Sequence, residues 1–307
     1  MSKILITGAA GFIGSHLYEK LSKNNEVIGI DNFFHSSTHP LTKEVRYCDV
    51  RYYQDIEKFI DWADVVFHLA AQIHVDRSLI SPIETTDINI NGTLNVLEAV
   101  HKYGKKMVFA SSSEVYGTAQ KSFIDEKHPL DAQSPYAASK VAGDRYCKAY
   151  YDSFGTQVAI LRNFNTFGPY QADDSYGGVI AIFTRKALLG EPLVVYGDGE
   201  QERDYMSVQD AVGGYEFCIQ EELWGTPVNI GTGKTVTINE LALKIKKLTK
   251  SKSKIIHGEP RPGEVRCLRA DTTFATDKGF KIKTKFDDNL KEYVQWYKDT
   301  ILPTLSK

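Results

Sequence analysis

The 307-residue chain contains no run of about 18 apolar residues, which removes a membrane-spanning helix from consideration. It also lacks an excess of either charge: 37 Lys and Arg stand against 39 Asp and Glu, a net charge of −2. A basic surface of the kind that binds nucleic acid is therefore not expected, and no nucleic-acid partner is assigned. Cysteine is scarce. Cys48, Cys147, Cys218 and Cys267 lie far apart and show neither metal spacing nor a disulfide framework, so they are read as free thiols of a cytoplasmic protein, with no metal expected. The start, Met1 to Gly8, runs straight into a strand pattern and lacks the apolar stretch and cleavage site of a signal peptide. Internal repeats and low-complexity tracts are missing too. What is present is the balance of a globular protein, 42% hydrophobic and 25% charged residues, on a length that suits one large domain or two. Composition excludes several classes and names no function.

The first half alternates short apolar runs with helical patterns. Strands are expected at Lys3–Thr7, Glu26–Ile30, Val45–Cys48, Asp64–Leu69, Lys106–Ser111 and Gln157–Arg162, with helices at Gly11–Ser22, Asp55–Trp62, Asn89–Tyr103 and Pro135–Phe154. Such alternation implies parallel pairing with right-handed crossovers, hence an α/β, Rossmann-type doubly wound sheet. After Phe167 the rhythm changes. Helices at Val179–Leu189, Val208–Glu221 and Ile238–Leu248 and strands at Leu193–Tyr196 and Pro227–Ile230 predict a smaller α+β lobe, dividing the chain into residues 1–167 and 168–307. The Lys-rich stretch Lys244–Lys254 reads as a solvated helix face and turn.

Gly8, Gly11 and Gly14, with Phe12 and Ile13 between them, form GxxGxxG at a strand-to-helix junction. Gly8 suits the tight turn, Gly11 lets backbone approach a pyrophosphate at the helix N-terminus, and Gly14 lets helix and strand pack closely. Asp31 ends the second strand, 17 positions beyond Gly14, with Asn32 after it. A carboxylate there binds ribose hydroxyls and repels a 2′-phosphate, which predicts NAD rather than NADP. Asp49 and Val50 follow the third strand and are candidates for the adenine.

Tyr136 and Lys140 form YxxxK, four residues apart and so on one helix face. A neighbouring ammonium and an oxidised nicotinamide both favour phenolate, so a depressed phenol pKa is expected. Tyr136 could then take a proton from a sugar hydroxyl while hydride leaves to the cofactor. A strand ending in Ser111-Ser112-Ser113 lies upstream and supplies a third partner.

Together these motifs resemble the extended short-chain dehydrogenase/reductase family, and within it the nucleotide-sugar epimerases and dehydratases. The likeness covers nearly the whole chain. His68-Leu69-Ala70-Ala71-Gln72 is similar to the family's strand-four cofactor motif, and Ser111 to Gly117 to its active-site loop. The resemblance implies Leu69, Ala70 and Ala71 at the cofactor, and Ser112, Ser113, Glu114, Tyr136 and Lys140 at the chemistry. It also implies Asn165, Val195, Tyr196, Arg203, Asn229 and Arg261 at the nucleotide sugar. Arg203 and Arg261 are expected at the diphosphate, where a guanidinium fits phosphate oxygens. Asn165 and the loop Gln171–Gly178 are expected to select the sugar.

In these enzymes Tyr136, helped by Ser112, would deprotonate the C4 hydroxyl as NAD takes the C4 hydride. An epimerase then returns hydride to the other face of C4, a dehydratase expels the C6 hydroxyl, and a decarboxylase loses CO₂ from a uronate. Glu114 points to dehydration, because removing the C5 proton needs a further base. The resemblance of His74–Ser78 to dTDP-glucose 4,6-dehydratases points the same way, while Ser113 departs from their Asp-Glu pattern. The expected function is therefore an NAD-dependent 4,6-dehydratase of a UDP- or dTDP-hexose, UDP-GlcNAc among the candidates. The alternative is a UDP-hexose or UDP-N-acetylhexosamine 4-epimerase, followed by a UDP-glucuronate decarboxylase and a non-catalytic NAD-binding regulator. The helices Asn89–Tyr103 and Pro135–Phe154 resemble the pair that makes a four-helix homodimer interface in the family, with Tyr146, Tyr150 and Tyr151 as exposed candidates.

Overall fold

The computed structural model describes residues 1–174 and 177–305. Strands and helices alternate in the order β1 (Lys3–Thr7), α1 (Phe12–Leu21), β2 (Glu26–Asp31), β3 (Arg46–Tyr47), α2 (Tyr53–Trp62), β4 (Val65–His68), α3 (Val75–Ile80), α4 (Pro82–Thr86), α5 (Gly92–Lys102), β5 (Lys106–Ser112), α6 (Pro135–Phe154) and β6 (Val158–Asn163). There follow β7 (Asn165–Phe167), α7 (Val179–Leu189), β8 (Leu193–Tyr196), β9 (Glu202–Ser207), α8 (Val208–Gln220), β10 (Pro227–Ile230), β11 (Thr235–Thr237), α9 (Ile238–Thr249), β12 (Ile255–Gly258), β13 (Cys267–Leu268), α10 (Thr273–Asp277) and α11 (Phe286–Thr300).

Seven strands form one parallel sheet in the order β10-β6-β5-β4-β1-β2-β3. The order reverses direction of travel at β1, so β1 and β4 diverge into the crevice where such sheets bind ligands. Two apolar layers flank the sheet. One joins α1 and α8 to its face through Ile4, Ile6, Leu17, Val208 and Tyr215; the other joins α2 and α5 through Leu5, Ile56, Ile60, Val96 and Val100. The sheet thus takes its seventh strand and one covering helix from beyond residue 168. The rest of the C-terminal half builds a second unit: β11-β9-β13 with β7 on β9, and β12 beside β8, packed on α7, α9 and α11.

Local sequence explains the long helix that carries the chemistry. Ser134 accepts the amide of Ala137 at 3.1 Å, Pro135 occupies the first turn, and Gly155 ends the helix in a left-handed conformation. The helix expected from Asn89 begins earlier. Pro82 opens α4, and the chain passes into α5 through a π-turn over Asp87–Asn91. That wide turn points Asn89 into the protein, where its amide donates to Gln72 O at 2.9 Å and Ser139 Oγ at 2.8 Å. Among the described residues, no helix is long and apolar enough to cross a membrane.

Candidate active site

A cleft of about 590 Å³ opens at the C-terminal ends of β1, β2, β4 and β5 and continues beneath the second unit. Gly8, Gly11, Phe12, Ile13 and Gly14 line one end, with Asp31, Asn32, Val50, Leu69, Ala70 and Ala71. Gly8 has φ +72°, and a Cβ on it would stand 2.7 Å from the Ala70 amide nitrogen. A Cβ on Gly14 would stand 2.1 Å from the Gly8 carbonyl oxygen. Both positions therefore exclude any side chain, the first by conformation and contact, the second by contact alone.

Asp31 accepts the amides of Ala10 (3.1 Å) and Phe33 (2.8 Å), which fixes its carboxylate at the cleft wall. Burial nevertheless raises its pKa, the amides only partly offsetting the lost hydration. Asp49 does not line the cleft. Arg51 grips its carboxylate through Nε and a terminal nitrogen at 3.0 and 2.7 Å, and the Asn32 amide adds a third bond at 3.1 Å. Asp49 thereby orients Asn32, while Val50 and Cys48 present the surface beside it. His68 is structural. Thr7 and Thr93 hold its two ring nitrogens at 2.7 and 3.0 Å, and burial pushes its pKa down to about 3.

Ser111, Ser112, Ser113, Glu114, Tyr136 and Lys140 line the middle of the cleft. Ser112 accepts the Glu114 amide at 3.2 Å and is hydrogen-bonded to Tyr136. The depression expected of the Tyr136 phenol is not seen in the protein alone. Burial pushes it up to about 12, the Ser112 bond pulls it down, and the Glu114 charge adds to the rise. Lys140 donates to the Ala110 carbonyl at 2.9 Å, and burial lowers its pKa to about 8. Asn89 sets this helix from behind, since Ser139, its partner, donates to the Tyr136 carbonyl at 2.7 Å. Burial raises the Glu114 carboxyl too; the Arg203 charge opposes the rise and Glu264 adds to it.

Several residues expected at the nucleotide sugar are brought to this cleft and several are not. Asn165 lines it, with a buried Oδ1 that has no protein partner, and so does Arg261. The Arg261 guanidinium lies 4.2 Å from the Tyr196 ring centroid and 3.7 Å from Asp76. Tyr196 and Arg261 also line a neighbouring hollow of about 350 Å³ with Gln201, Glu264 and Arg266. Arg203 is 9% exposed on β9, lines neither space, and donates to the Glu202 carbonyl at 3.0 Å. Val195 is buried in the second core. Asn229 is buried in a polar network: it accepts the Tyr116 hydroxyl at 2.6 Å and donates to the Ile124 carbonyl at 2.8 Å. The same network ties Arg162 to Asp144 through two bonds of 2.8 and 2.9 Å. Cleft residues that the motifs did not single out include His35, Ser37, Asn163 and Tyr170. Ser175 and Tyr176, in the middle of the Gln171–Gly178 loop, lie outside the described residues.

The glycine turn, the Asp31 carboxylate and the Ser112–Tyr136–Lys140 group converge on one cleft, and the comparison with known proteins agrees. The model of the NAD dependent epimerase/dehydratase family matches residues 4–231. The chain belongs to this family. It is an enzyme of the extended short-chain dehydrogenase/reductase type, and NAD is its cofactor. A Methanocaldococcus jannaschii protein provisionally named UDP-glucose 4-epimerase is 38% identical over 96% of this chain and 98% of its own length. The UDP-N-acetyl-alpha-D-glucosaminuronate decarboxylase of Bacillus cytotoxicus is 36% identical over 97% and 98%. The solved dTDP-glucose 4,6-dehydratase of Streptomyces venezuelae, with NAD bound, superposes with a TM-score of 0.91 at 29% identity, covering 97% of each chain. The family thus contains relatives of three different reactions at similar distance. The Gly8–Gly14 turn and Asp31 fit the dinucleotide, because the turn leaves no Cβ in its path and the carboxylate is fixed by two amides.

The aromatic residues on α6 divide. Tyr146 and Tyr151 are exposed, but Tyr150, expected to be exposed, is buried and its hydroxyl bonds Glu98. The helical period turns Tyr150 inward against α5.

Proposed function

We propose that this family member is an NAD-dependent 4,6-dehydratase of a UDP- or dTDP-hexose. The observation that carries the reading is Glu114. Its half-buried carboxyl lines the cleft, its amide is bonded to Ser112, and its charge is felt by Tyr136. A base next to the hydroxyl-deprotonating pair is what C5–C6 elimination needs and plain epimerization does not.

Tyr136 and Ser112 hold the sugar C4 hydroxyl, and Tyr136 takes its proton. NAD supplies, when bound, a cationic ring that favours the phenolate and a hydride acceptor at C4 that later returns the hydride to C6. The 4-keto group makes the C5 proton acidic, and Glu114 removes it. The C6–oxygen bond breaks, and the departing hydroxyl takes the proton from Glu114 and leaves as water; when the hydride comes back to C6, Tyr136 gives up the proton it took and C5 is protonated. A raised carboxyl pKa suits both halves of that task, since the group must accept a proton and then give it up. Arg261, stacked on Tyr196 at the cleft mouth, is placed for the diphosphate.

Incubation with dTDP-glucose, UDP-glucose and UDP-GlcNAc, followed by mass and NMR analysis, tests the reading. Loss of water to a 4-keto-6-deoxy product is expected. A C4 epimer of unchanged mass as the only product overturns it. That second reading, a 4-epimerase, is favoured by Ser113, which supplies no acid beside Glu114 to protonate the departing hydroxyl. We also propose a homodimer through α5 and α6, whose outer side exposes Tyr146, Tyr151 and Phe154. Sedimentation that finds only monomer removes it.

A further inference from the structure

The cysteines show no metal spacing, but the fold assembles another set of ligands. His16 and Glu19 lie three residues apart on one side of α1, and the segment after β2 brings His39 to them. One ligand atom from each residue lies within 4.8 Å of the other two. From this geometry we propose that His16, Glu19 and His39 bind a divalent transition-metal ion, zinc being the best match.

Two independent features point to a ligand. The first is an empty lone pair. His16 is 6% exposed, and its Nε2 lies 2.9 Å from the Pro169 carbonyl oxygen. A carbonyl can only accept, so Nε2 carries the proton and Nδ1 is left as a bare acceptor. Nδ1 is buried and has no hydrogen-bond partner. A ring oriented by a carbonyl on one nitrogen, with its other nitrogen free, is the arrangement that metal-binding histidines use. The second feature is the donor set. Two imidazoles and one carboxylate, with Glu19 half exposed and open to water, match three-ligand zinc sites that keep a fourth position for solvent.

The set is close to binding geometry. His39 Nε2 and Glu19 Oε2 are 3.3 Å apart. Ligand atoms of a tetrahedral zinc stand about 3.3 Å from one another, so the widest pair must close by at most about 1.5 Å. Glu19 can supply much of that by rotation, being on the surface. His39 must change its proton. Its Nδ1 now accepts the Leu41 amide at 3.2 Å, which puts the ring proton on Nε2, facing Glu19. Binding through Nε2 moves that proton to Nδ1 and releases the half-buried Leu41 amide to water. One long hydrogen bond is given up for one metal bond.

The ion would join α1, the segment ending at His39 and the Pro169–Tyr170 turn, whose neighbours Phe12, Ser37 and Tyr170 line the cofactor end of the cleft. It is a structural clamp and takes no part in the sugar chemistry.

The test is a titration of the full chain, stripped with chelator, with Zn²⁺ by calorimetry and with Co²⁺ by visible absorption. One ion per chain is expected, with a rise in melting temperature. Glu19→Gln changes an exposed side chain and should fold normally. It should weaken Zn²⁺ binding about 10-fold or more, and His39→Gln should abolish the Co²⁺ spectrum. Failure to bind a stoichiometric ion overturns the proposal. So does binding unchanged in Glu19→Gln and His39→Gln, which would place the ion elsewhere.

Discussion

Replacing Glu114 by Gln separates the two leading reactions most sharply. The amide keeps the size and leaves the backbone bond to Ser112 in place, since that bond uses the Glu114 amide nitrogen. It removes only the ability to take and return a proton. Loss of a positioned base typically costs about 10²- to 10⁴-fold, or roughly 3–5 kcal/mol of barrier. The substitution should leave Tyr136 and Ser112 able to oxidise C4. Turnover to the 4-keto-6-deoxy product should therefore fall by about 10²-fold or more, while the 4-keto hexose and reduced cofactor form in the first turnover. Rapid quench with mass analysis, alongside near-ultraviolet absorbance, reads both.

The pH profile provides an internal control. Burial holds the Glu114 carboxyl above the ordinary range. As a base it works only when ionised, so the acid limb of kcat should rise with pH through that elevated pKa. In Glu114→Gln the limb should vanish, leaving what Tyr136 imposes. A loss of less than about tenfold, with the acid limb intact, would refute the assignment of Glu114 as the C5 base. Another group would then have to remove the C5 proton.

Other consequences are equally direct. Arg162→Met leaves Asp144, wholly buried, with only the half-exposed Arg145 as a charged partner, and should cost about 3–5 kcal/mol in urea unfolding; a cost below about 1 kcal/mol would show that the pair is not held as described. His68 stays neutral in the fold down to about pH 3, whereas it protonates near 6.5 when unfolded, so the unfolded chain gains a proton as pH falls through that window. Stability is lost downward from pH 6.5, by about 2 kcal/mol at pH 5 from this group, and the acid slope of His68→Gln should be shallower by one proton. Asp31→Asn should weaken NAD binding about 10-fold and narrow its advantage over NADP, as measured by fluorescence titration; an unchanged ratio of the two affinities would remove Asp31 from ribose recognition.

How far each part was legible in the sequence depends on how local its cause is. The Gly8–Gly14 turn and the helix Pro135–Phe154 were readable because their determinants are neighbours in sequence: three glycines at fixed spacing, a Ser-Pro start and a Gly stop. The strands of the first sheet were readable because burial on both faces makes continuous apolar runs. The short strands β7, β9, β11 and β13 have no such run, since polar residues such as Asn165, Arg203, Asp204 and Thr235 stand at their paired positions. Asn89 was placed on a helix, but its reach into the active site depends on a π-turn that no local pattern announces. Charge was the hardest to assign. Arg203 and Asp49 sit in motif positions, and their partners are settled by distant or competing groups, Glu114 across the fold for one and Arg51 for the other.

That distinction bears on what separates the three reactions found among the relatives. On the proposed mechanism the Ser112, Tyr136 and Lys140 geometry serves the shared first step, and its parts are held within the first unit, by bonds between β5 and α6 and by Asn89 behind α6. On the proposed reading the divergent step depends on the proton affinity of Glu114, which is set by desolvation together with Arg203 on β9 and Glu264 beyond β12. These two residues are 61 positions apart in sequence and both belong to the second unit. On the proposed mechanism, the first unit sets the oxidation at C4 and the second tunes the fate of the 4-keto sugar. Changing Arg203 or Glu264 should alter the pH dependence of the later step more than the rate of the first. A product profile that tracked substitutions in α6 instead would place the choice of reaction on the wrong side of the cleft.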